Sequence, residues 1–184
     1  MTAAHYNLTS AVDAANIRQI ITADSSTSRT IMWQSAYAEK GAAVEYRAAG
    51  AEDTLTIPAA DTELNDDGTM TYIHSAAITG LTPGGSYEYR VGYTDRRSEW
   101  FPLKTAAGST FKALIFPDSQ SADYGVWKNT AMPAWERNKD AQFFINIGDL
   151  VDNGQSGYQW NAWFEGCEDM IRQIPLVPLD GNHE

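Results

Sequence analysis

The hydrophobic pattern of this 184-residue chain changes near residue 107, and that change limits what the chain can fold into. Before it, short segments such as residues 30–34 and 44–47 alternate apolar and polar side chains. Alternation indicates strands with one buried and one solvated face. After it, continuous apolar runs alternate with segments of helical spacing. We therefore predict two domains of different fold class, residues 1–107 and residues 108–184.

The first region is predicted to be an all-β sandwich. Turn-forming residues at 24–26, 65–68 and 82–85 separate its short apolar segments. Many short strands with regular turn signals are typical of a β-sandwich. The predicted strands are residues 17–23, 30–35, 43–48, 54–58, 72–78, 87–93 and 99–104.

The second region has the order strand, helix, strand, helix, strand. Its continuous apolar runs are typical of strands buried on both faces of a parallel sheet. The β-α-β-α-β order implies such a sheet, with right-handed crossovers. Pro133 is expected to kink or divide the first helix. The predicted elements are strands 111–117, 142–147 and 175–179 and helices 124–139 and 158–173.

The composition excludes several classes of protein. There are 13 Lys and Arg against 24 Asp and Glu, a net charge of −11, which disfavours binding to nucleic acid. No apolar run is long enough to span a membrane, and the first residues lack a signal-peptide pattern. The single cysteine, Cys167, excludes an internal disulfide and is predicted to be an inert core side chain. His5 and His74 are isolated, and we predict that neither is a ligand.

A polar segment follows each of the three predicted parallel strands. In open α/β sheets, ligands bind outside the carboxyl ends of the strands. Carboxylate, amide and imidazole groups suit Mn, Fe or Zn, and a cation offsets the repulsion between neighbouring carboxylates. Two ions that share a carboxylate can activate a water and hold a phosphoryl group. The residues expected to converge are Asp118, Asp149 and Asn182, with Gln120, Asp152 and His183 nearby.

These motifs resemble a known combination of domains. Asp-x-Gln at 118–120, Gly-Asp-x-x-Asp at 148–152 and Gly-Asn-His-Glu at 181–184 resemble the first half of a calcineurin-like metallophosphoesterase domain. Residues 81–91 resemble the corner between strands E and F of fibronectin type III domains, in which a tyrosine hydrogen-bonds back over the corner. Tyr87 would be that tyrosine, and Trp33 would be a core tryptophan. The pairing of the two domains resembles purple acid phosphatases and their bacterial relatives.

The resemblance implies a dinuclear-metal phosphatase that hydrolyses phosphate esters through a metal-bound hydroxide. By position, Asp118 and Gln120 would bind the first metal and Asp149 would bridge both. Asn182 would bind the second metal and orient the phosphate, and His183 would be the general acid. Asp152 and Glu184 would lie behind the ligands, and Glu184 would orient His183.

The chain also departs from the family. Gln120 stands where most members have a histidine ligand, so the first site is expected to be weaker. Asp152 stands where purple acid phosphatases have the tyrosine that binds iron, so we expect no purple colour. The superfamily supplies further histidines from the second half of its domain. We therefore expect this chain to be a truncated piece of a parent phosphatase, weakly active or inactive by itself.

Two alternatives stay open. The sandwich could be a binding or adhesion module beside a degenerate phosphatase scaffold, with exposed aromatics among Tyr37, Tyr93, Trp100 and Phe101. It could also border the active site and select substrates. The substrate could be a monoester, a diester, a nucleotide or a phosphoprotein. The sandwich slightly favours an extracellular or cell-envelope location, and the oligomeric state stays open.

Overall fold

The computed structural model describes residues 12–66, 68–121 and 123–184, which hold eleven strands and three α-helices. His5 and the start of the predicted first domain lie outside these residues. The first region contains β1 Ala15–Ile20, β2 Arg29–Ser35, β3 Ala43–Ala48, β4 Leu55–Pro58, β5 Ala60–Asp66, β6 Thr69–Ile78, β7 Ser86–Gly92 and β8 Phe101–Lys104. The second contains β9 Ala113–Pro117, α1 Tyr124–Glu136, β10 Phe143–Ile147, α2 Gly157–Gly166, α3 Glu168–Ile171 and β11 Leu176–Leu179.

The first region consists of two antiparallel layers around one apolar core. Strands β5-β6-β2-β1 form one layer, and β4-β3-β7-β8 form the other. Along β2, buried and half-buried residues alternate, because successive side chains of a strand point to opposite faces. Trp33, on the buried face of β2, is fully enclosed, as predicted for a core tryptophan.

The corner before β7 has the predicted tyrosine contact. The Thr82 N–H donates to the Tyr87 hydroxyl over 2.8 Å. The hydroxyl therefore satisfies a backbone donor that the turn leaves without a strand partner. This contact fixes the path of the chain as it enters β7.

One strand of the first region, β5, is not predicted from the sequence. Strand β5 pairs along its whole length with β6, and the Gly68 N–H donates to the Asn65 side chain in the turn between them. The turn was predicted, but β5 was not, because its sequence is polar and lacks an apolar face. It lies at the edge of the sheet and is exposed to solvent.

The second region contains three parallel strands covered by helices on one face. Strand β10 lies between β9 and β11, and the register pairs Phe144 with Leu114 and with Leu176. The helices pack on the side of the sheet that carries Phe116 and Phe144. On the opposite face, Ile115 and Ile147 are more than half exposed. The predicted β-α-β-α-β order and parallel pairing are therefore present, with one open apolar face.

The two helix predictions were wrong in detail. Pro133 lies inside α1 without dividing it, and the helix ends three residues later, so the proline removes one hydrogen bond from the final turn. The predicted second helix is instead two helices, interrupted at Cys167, where φ is −124° and ψ is 17°. Gly166 precedes the break and admits the Trp127 ring, which a Cβ atom there would approach to 2.4 Å. Cys167 is buried, as predicted.

The two regions share one sheet. Strand β1 pairs in parallel with β11 at Ile20 and Leu176, which joins four sandwich strands to the three parallel strands. The Gln19 side chain donates to the carbonyls of Pro102 and Arg172, one in each region. The Tyr89 hydroxyl also donates to the Arg172 carbonyl. Backbone pairing and buried hydrogen bonds thus fix the second region against the sandwich.

Within the described parts of the chain, none of the helices has the length and apolar character needed to cross a bilayer.

Candidate functional site

The carboxyl ends of β9, β10 and β11 meet at one edge of the sheet, and their loops are joined there by hydrogen bonds. The backbone N–H groups of Ser119 and Gln120 both donate to the carbonyl of Asp149 at 3.0 Å. The N–H groups of Asn182 and His183 donate to the Asp149 carboxylate, at 3.0 and 3.4 Å. Asp149 is therefore the residue that connects all three polar segments.

Asp149 adopts a backbone conformation that side chains rarely tolerate. Its φ is +49°, and Gly148 before it has φ +73°. Such left-handed residues are concentrated at functional sites, where surrounding contacts hold the strain. Gly181 packs directly against the carboxylate, since a Cβ atom on Gly181 would lie 2.0 Å from Asp149 Oδ1. The two glycines in the motifs thus allow the β10 and β11 loops to approach each other.

Ser119 is a buried residue of this site that the sequence did not single out. Its buried hydroxyl accepts from the Asn146 amide at 2.7 Å and from the Trp163 indole at 2.8 Å, and donates to the Leu150 carbonyl. The hydroxyl therefore ties the β9 loop to β10, to α2 and to the loop that carries Asp149. The only signal in the sequence was its position between Asp118 and Gln120.

Glu184 holds the loops by its carboxylate. It accepts from the N–H groups of Leu150 at 2.7 Å, Gly181 at 2.6 Å and Asp149 at 3.1 Å. Desolvation alone would raise its pKa, but these charge-assisted bonds outweigh it and lower the pKa of Glu184. The Glu184 carboxylate thus accepts backbone donors from the loops after β10 and β11 and joins these loops.

The orientation of His183 comes from a different residue than the one predicted. Its Nδ1 donates to the carbonyl of Asp152 at 2.7 Å, whereas the Glu184 carboxylate faces backbone amides. A proton on Nδ1 leaves Nε2 as the basic nitrogen of the neutral ring. The bond to Asp152 raises the pKa of His183 against desolvation, and the charges of Asp149, Asp152 and Glu184 add to that rise. The His183 ring is therefore held by one hydrogen bond, with three carboxylates near it.

The remaining predicted ligands lie on the same edge. Asp118 and Asn182 are exposed to solvent, and Gln120 is partly buried. The Gln120 Oε1 atom is buried without a hydrogen-bond donor among the described residues. An unsatisfied buried carbonyl oxygen is costly unless a donor or a cation contacts it.

These residues fit a divalent cation by the chemistry of their donors. Asp118 and Asp149 supply carboxylates, and Gln120 and Asn182 supply amide oxygens, which are ligands for hard and borderline cations. In the described residues, however, no group of three or more His, Cys, Asp or Glu side chains is placed to hold a metal ion. The set is thus partial, with two of its four members being neutral amides.

A second polar cluster lies in the sandwich. The buried His74 contacts Asp61 through Nδ1 at 2.7 Å and Ser35 Oγ through Nε2 at 2.8 Å. Ser35 is fully buried and donates to the Tyr37 carbonyl, so its hydroxyl is not available as a nucleophile. His74 also stacks on Trp33 with 5.1 Å between ring centroids. This cluster therefore stabilises the sandwich.

Comparison with known proteins matches the first region to a family. Residues 14–105 match the family described as purple acid phosphatase, N-terminal domain. Purple acid phosphatase 1 of Ipomoea batatas is 27% identical over 125 residues, covering 63% of this chain and 26% of the relative. Purple acid phosphatase 15 of Arabidopsis thaliana is 26% identical over 151 residues, covering 64% and 28%. The chain spans about a quarter of the length of the curated relatives it matches.

Solved structures extend the likeness in fold to both regions. The purple acid phosphatase PPD1 from yellow lupin (Lupinus luteus) superposes with a TM-score of 0.80 at 18% identity, covering 94% of this chain and 36% of that protein. The structure of PhoD superposes with a TM-score of 0.60 at 12% identity, covering 95% and 40%. At these identities the likeness concerns the fold.

Proposed function

The chain belongs to the purple acid phosphatase N-terminal domain family, and from that premise we propose that its parent protein is a metal-dependent phosphatase that hydrolyses phosphate esters. The second region, residues 108–184, is then the first half of the catalytic domain. The observation that carries the proposal is the set of hydrogen bonds by which Asp149 joins the three strand-end loops. Such an arrangement at the carboxyl ends of parallel strands is where α/β sheets bind ligands.

The proposed ligands follow the motifs. Asp118 and Gln120 would hold one metal, Asp149 both, and Asn182 the second. Bound metal ions lower the pKa of water and offset the negative charge of the phosphate. Because two of these four residues are amides, we propose that the 184-residue chain alone binds metal weakly and has little or no activity.

His183 would supply a proton. Its Nδ1 is held by the Asp152 carbonyl, so Nε2 is the atom that would donate to the leaving oxygen of the ester. The bond to the Asp152 carbonyl raises the pKa of His183, and the nearby carboxylates add to that rise. Glu184 would act as a positioning residue, since it fixes the backbone on both sides of the site.

Most of the aromatic side chains considered as the contact surface of a binding module are not exposed. Tyr93 and Phe101 are buried, and the Trp100 ring is covered by Arg47 and Arg90, whose guanidinium carbons lie 4.1 and 4.5 Å from its centroid. Only Tyr37, of the four aromatics considered, is largely exposed. A single tyrosine does not form an apolar contact patch. We therefore favour the phosphatase.

Metal binding by the 184-residue chain tests the proposal directly. Mn²⁺ added to the ¹⁵N-labelled chain is expected to broaden the amide resonances of Gln120, Asp149 and Asn182. Asp149→Asn, which keeps an acceptor oxygen for the loop, should remove the broadening, whereas Asp140→Asn should not. Activity is tested on the parent protein loaded with Mn, Zn or Fe, using aryl and bis-aryl phosphates. Broadening without any hydrolysis by the parent would leave a metal site but overturn the phosphatase.

A further inference from the structure

A cleft lies at the end of the parallel strands opposite to the Asp149 loops. It has a volume of about 380 Å³ and is lined by the sandwich, by the linker 105–110 and by the residues that precede β10 and β11. That volume falls within the range of about 300–1,000 Å³ found for small-molecule sites. Strands of four or five residues separate it from the Asp149 loops by about 15 Å. It is therefore separate from the proposed phosphatase site.

The cleft is bordered by a buried guanidinium that the fold does not satisfy. Arg29 is 2% exposed and donates through Nη2 to the Lys104 carbonyl at 3.1 Å. Its Nε and Nη1 atoms have no acceptor among the described residues. Burial lowers the pKa of Arg29 to about 10, so the group keeps its positive charge at neutral pH. A buried charge without a partner is costly, and an anion would remove that cost.

A second unsatisfied donor borders the same cleft. The indole Nε1 of Trp135 is buried and has no acceptor within the described ranges. Arg29 comes from the sandwich and Trp135 from α1, so the two donors approach the cleft from different regions. Two orphaned donors around one cleft indicate a ligand that offers acceptor oxygens.

The charges around the cleft favour an anion, although the chain as a whole is acidic. Its lining contains Arg29, Lys104 and Lys139 against one acid, Asp140. Asp140 is neutralised by Lys112, whose Nζ lies 2.7 Å from Oδ1. Lys139 forms ion pairs with neighbouring carboxylates. Arg29 and Lys104 have no ion-pair partner in the described part of the chain. Two uncompensated cations therefore face one cleft.

The lining also contains apolar side chains. Phe111 and Phe143, whose rings pack with 5.3 Å between centroids, contribute to it, as do Ile174 and Pro175. A site of this kind combines a large apolar surface with a few polar groups that fix orientation. We propose that this cleft between the two regions binds a small organic carboxylate, with its carboxylate towards Arg29, Trp135 and Lys104 and its apolar body against the phenylalanines.

Benzoate is the probe for this proposal, with benzamide as its neutral counterpart and inorganic phosphate as an anion without an apolar body. Each is titrated into the ¹⁵N-labelled 184-residue chain while the indole N–H resonance of Trp135, assigned with Trp135→Phe, is followed. We expect benzoate to shift that resonance at lower concentration than either of the others. The amides of Asn182 and His183, at the far end of the strands, should stay in place.

Substitutions then locate the site. Lys104→Met, at an exposed strand position, is expected to weaken benzoate binding by about threefold or more, and Arg29→Met by at least about tenfold. Lys40→Met, which removes an exposed lysine of the sandwich, is the matched control and should bind as the unsubstituted chain does. If Arg29→Met does not fold, Lys104→Met decides the outcome.

Three results would overturn the proposal. One is a Trp135 resonance that benzoate does not move. Another is equal or tighter binding of benzamide or phosphate, which would remove the requirement for a carboxylate on an apolar body. The third is benzoate binding that Lys104→Met and Lys40→Met leave equally strong.

Discussion

The sandwich and the parallel region bury their strands to different extents. In the sandwich, the two layers pack against each other around Trp33, and both ring nitrogens of the buried His74 have hydrogen-bond partners. In the parallel region, helices cover one face of β9, β10 and β11, and Ile115 and Ile147 are exposed on the other. The sandwich therefore buries its core between its own two layers, whereas the parallel region is covered on one face and joins the sandwich through β1.

The two regions also differ in where their polar groups are used. In the sandwich, the buried His74 and Ser35 bond to each other and stabilise the fold. The parallel region places them at the strand ends, where Asp149, Ser119 and Glu184 hold three loops together. Loops fixed on a rigid scaffold are the usual location of binding and catalytic groups.

The largest effect is expected from removing the central side chain of the parallel region. Trp163 is fully buried, stacks on Trp127 at 5.5 Å and donates to Ser119. Trp163→Ala should lower the free energy of unfolding of that region by about 3–5 kcal/mol, because it leaves a cavity and removes the indole hydrogen bond to Ser119. Hydrogen exchange should show lost protection in β10 while β2 stays protected. Uniform loss in both strands would show that the two regions unfold as one unit.

A smaller effect is expected at the contact between two site loops. Gly181→Ala would place a Cβ atom 2.0 Å from Asp149 Oδ1, so the loops must separate. We expect a loss of about 1–3 kcal/mol in chemical denaturation, with weaker Mn²⁺ broadening. Gly108→Ala has open space around it, and its cost, about 1 kcal/mol, comes from a left-handed backbone (φ +68°) that Gly181 does not have. Equal losses for the two variants would contradict a steric role for Gly181.

Acid should loosen the same loops, because Glu184 joins them through its ionised carboxylate. The lowered pKa of Glu184 means that its contribution is complete above its ordinary value of 4.5 and is lost as pH falls through the folded-state value. Glu184→Gln should reproduce this at neutral pH, with exchange of the Leu150 amide faster by at least about tenfold. Amide exchange measured by NMR between pH 3 and 7 provides the test. An unchanged Leu150 amide in the variant would refute the role of the carboxylate.

The smallest effect is expected on the open face of the parallel sheet. Ile115 is 58% exposed, whereas its neighbour Phe116 is 6% exposed and faces the helices. Ile115→Lys should change the free energy of unfolding by less than about 0.5 kcal/mol, and Phe116→Lys should abolish the fold of the region. Urea denaturation distinguishes the two. A large loss for Ile115→Lys would mean that this face is covered in solution.

Sequence analysis located most of the elements because their signals are local. Alternation predicted β2 and β3, and the apolar runs predicted β9, β10 and β11. It missed β5, whose polar sequence forms a strand only because the edge of β6 offers hydrogen-bond partners. It also missed the break at Cys167, since the approach of Trp127 to Gly166 is a tertiary contact.

The meeting of three polar segments at the strand ends was predicted from the sequence, but the contacts between them were not. The motifs around Asp118, Asp149 and Asn182 follow from strand ends and residue chemistry. The role of Ser119 as a buried junction, and the use of the Asp152 carbonyl to orient His183, depend on distances between segments far apart in the sequence. No local pattern encodes those distances.

By itself, the sequence determined the change of fold class near residue 107, the acidic character of the chain and the polar residues at three strand ends, because period, charge and residue type are local properties. Only the tertiary structure decided that β1 pairs with β11, that Glu184 binds backbone amides and that Arg29 and Trp135 border one cleft. The physical reason is that hydrogen-bond partners and burial are set by chain packing, which brings together residues that no sequence spacing relates.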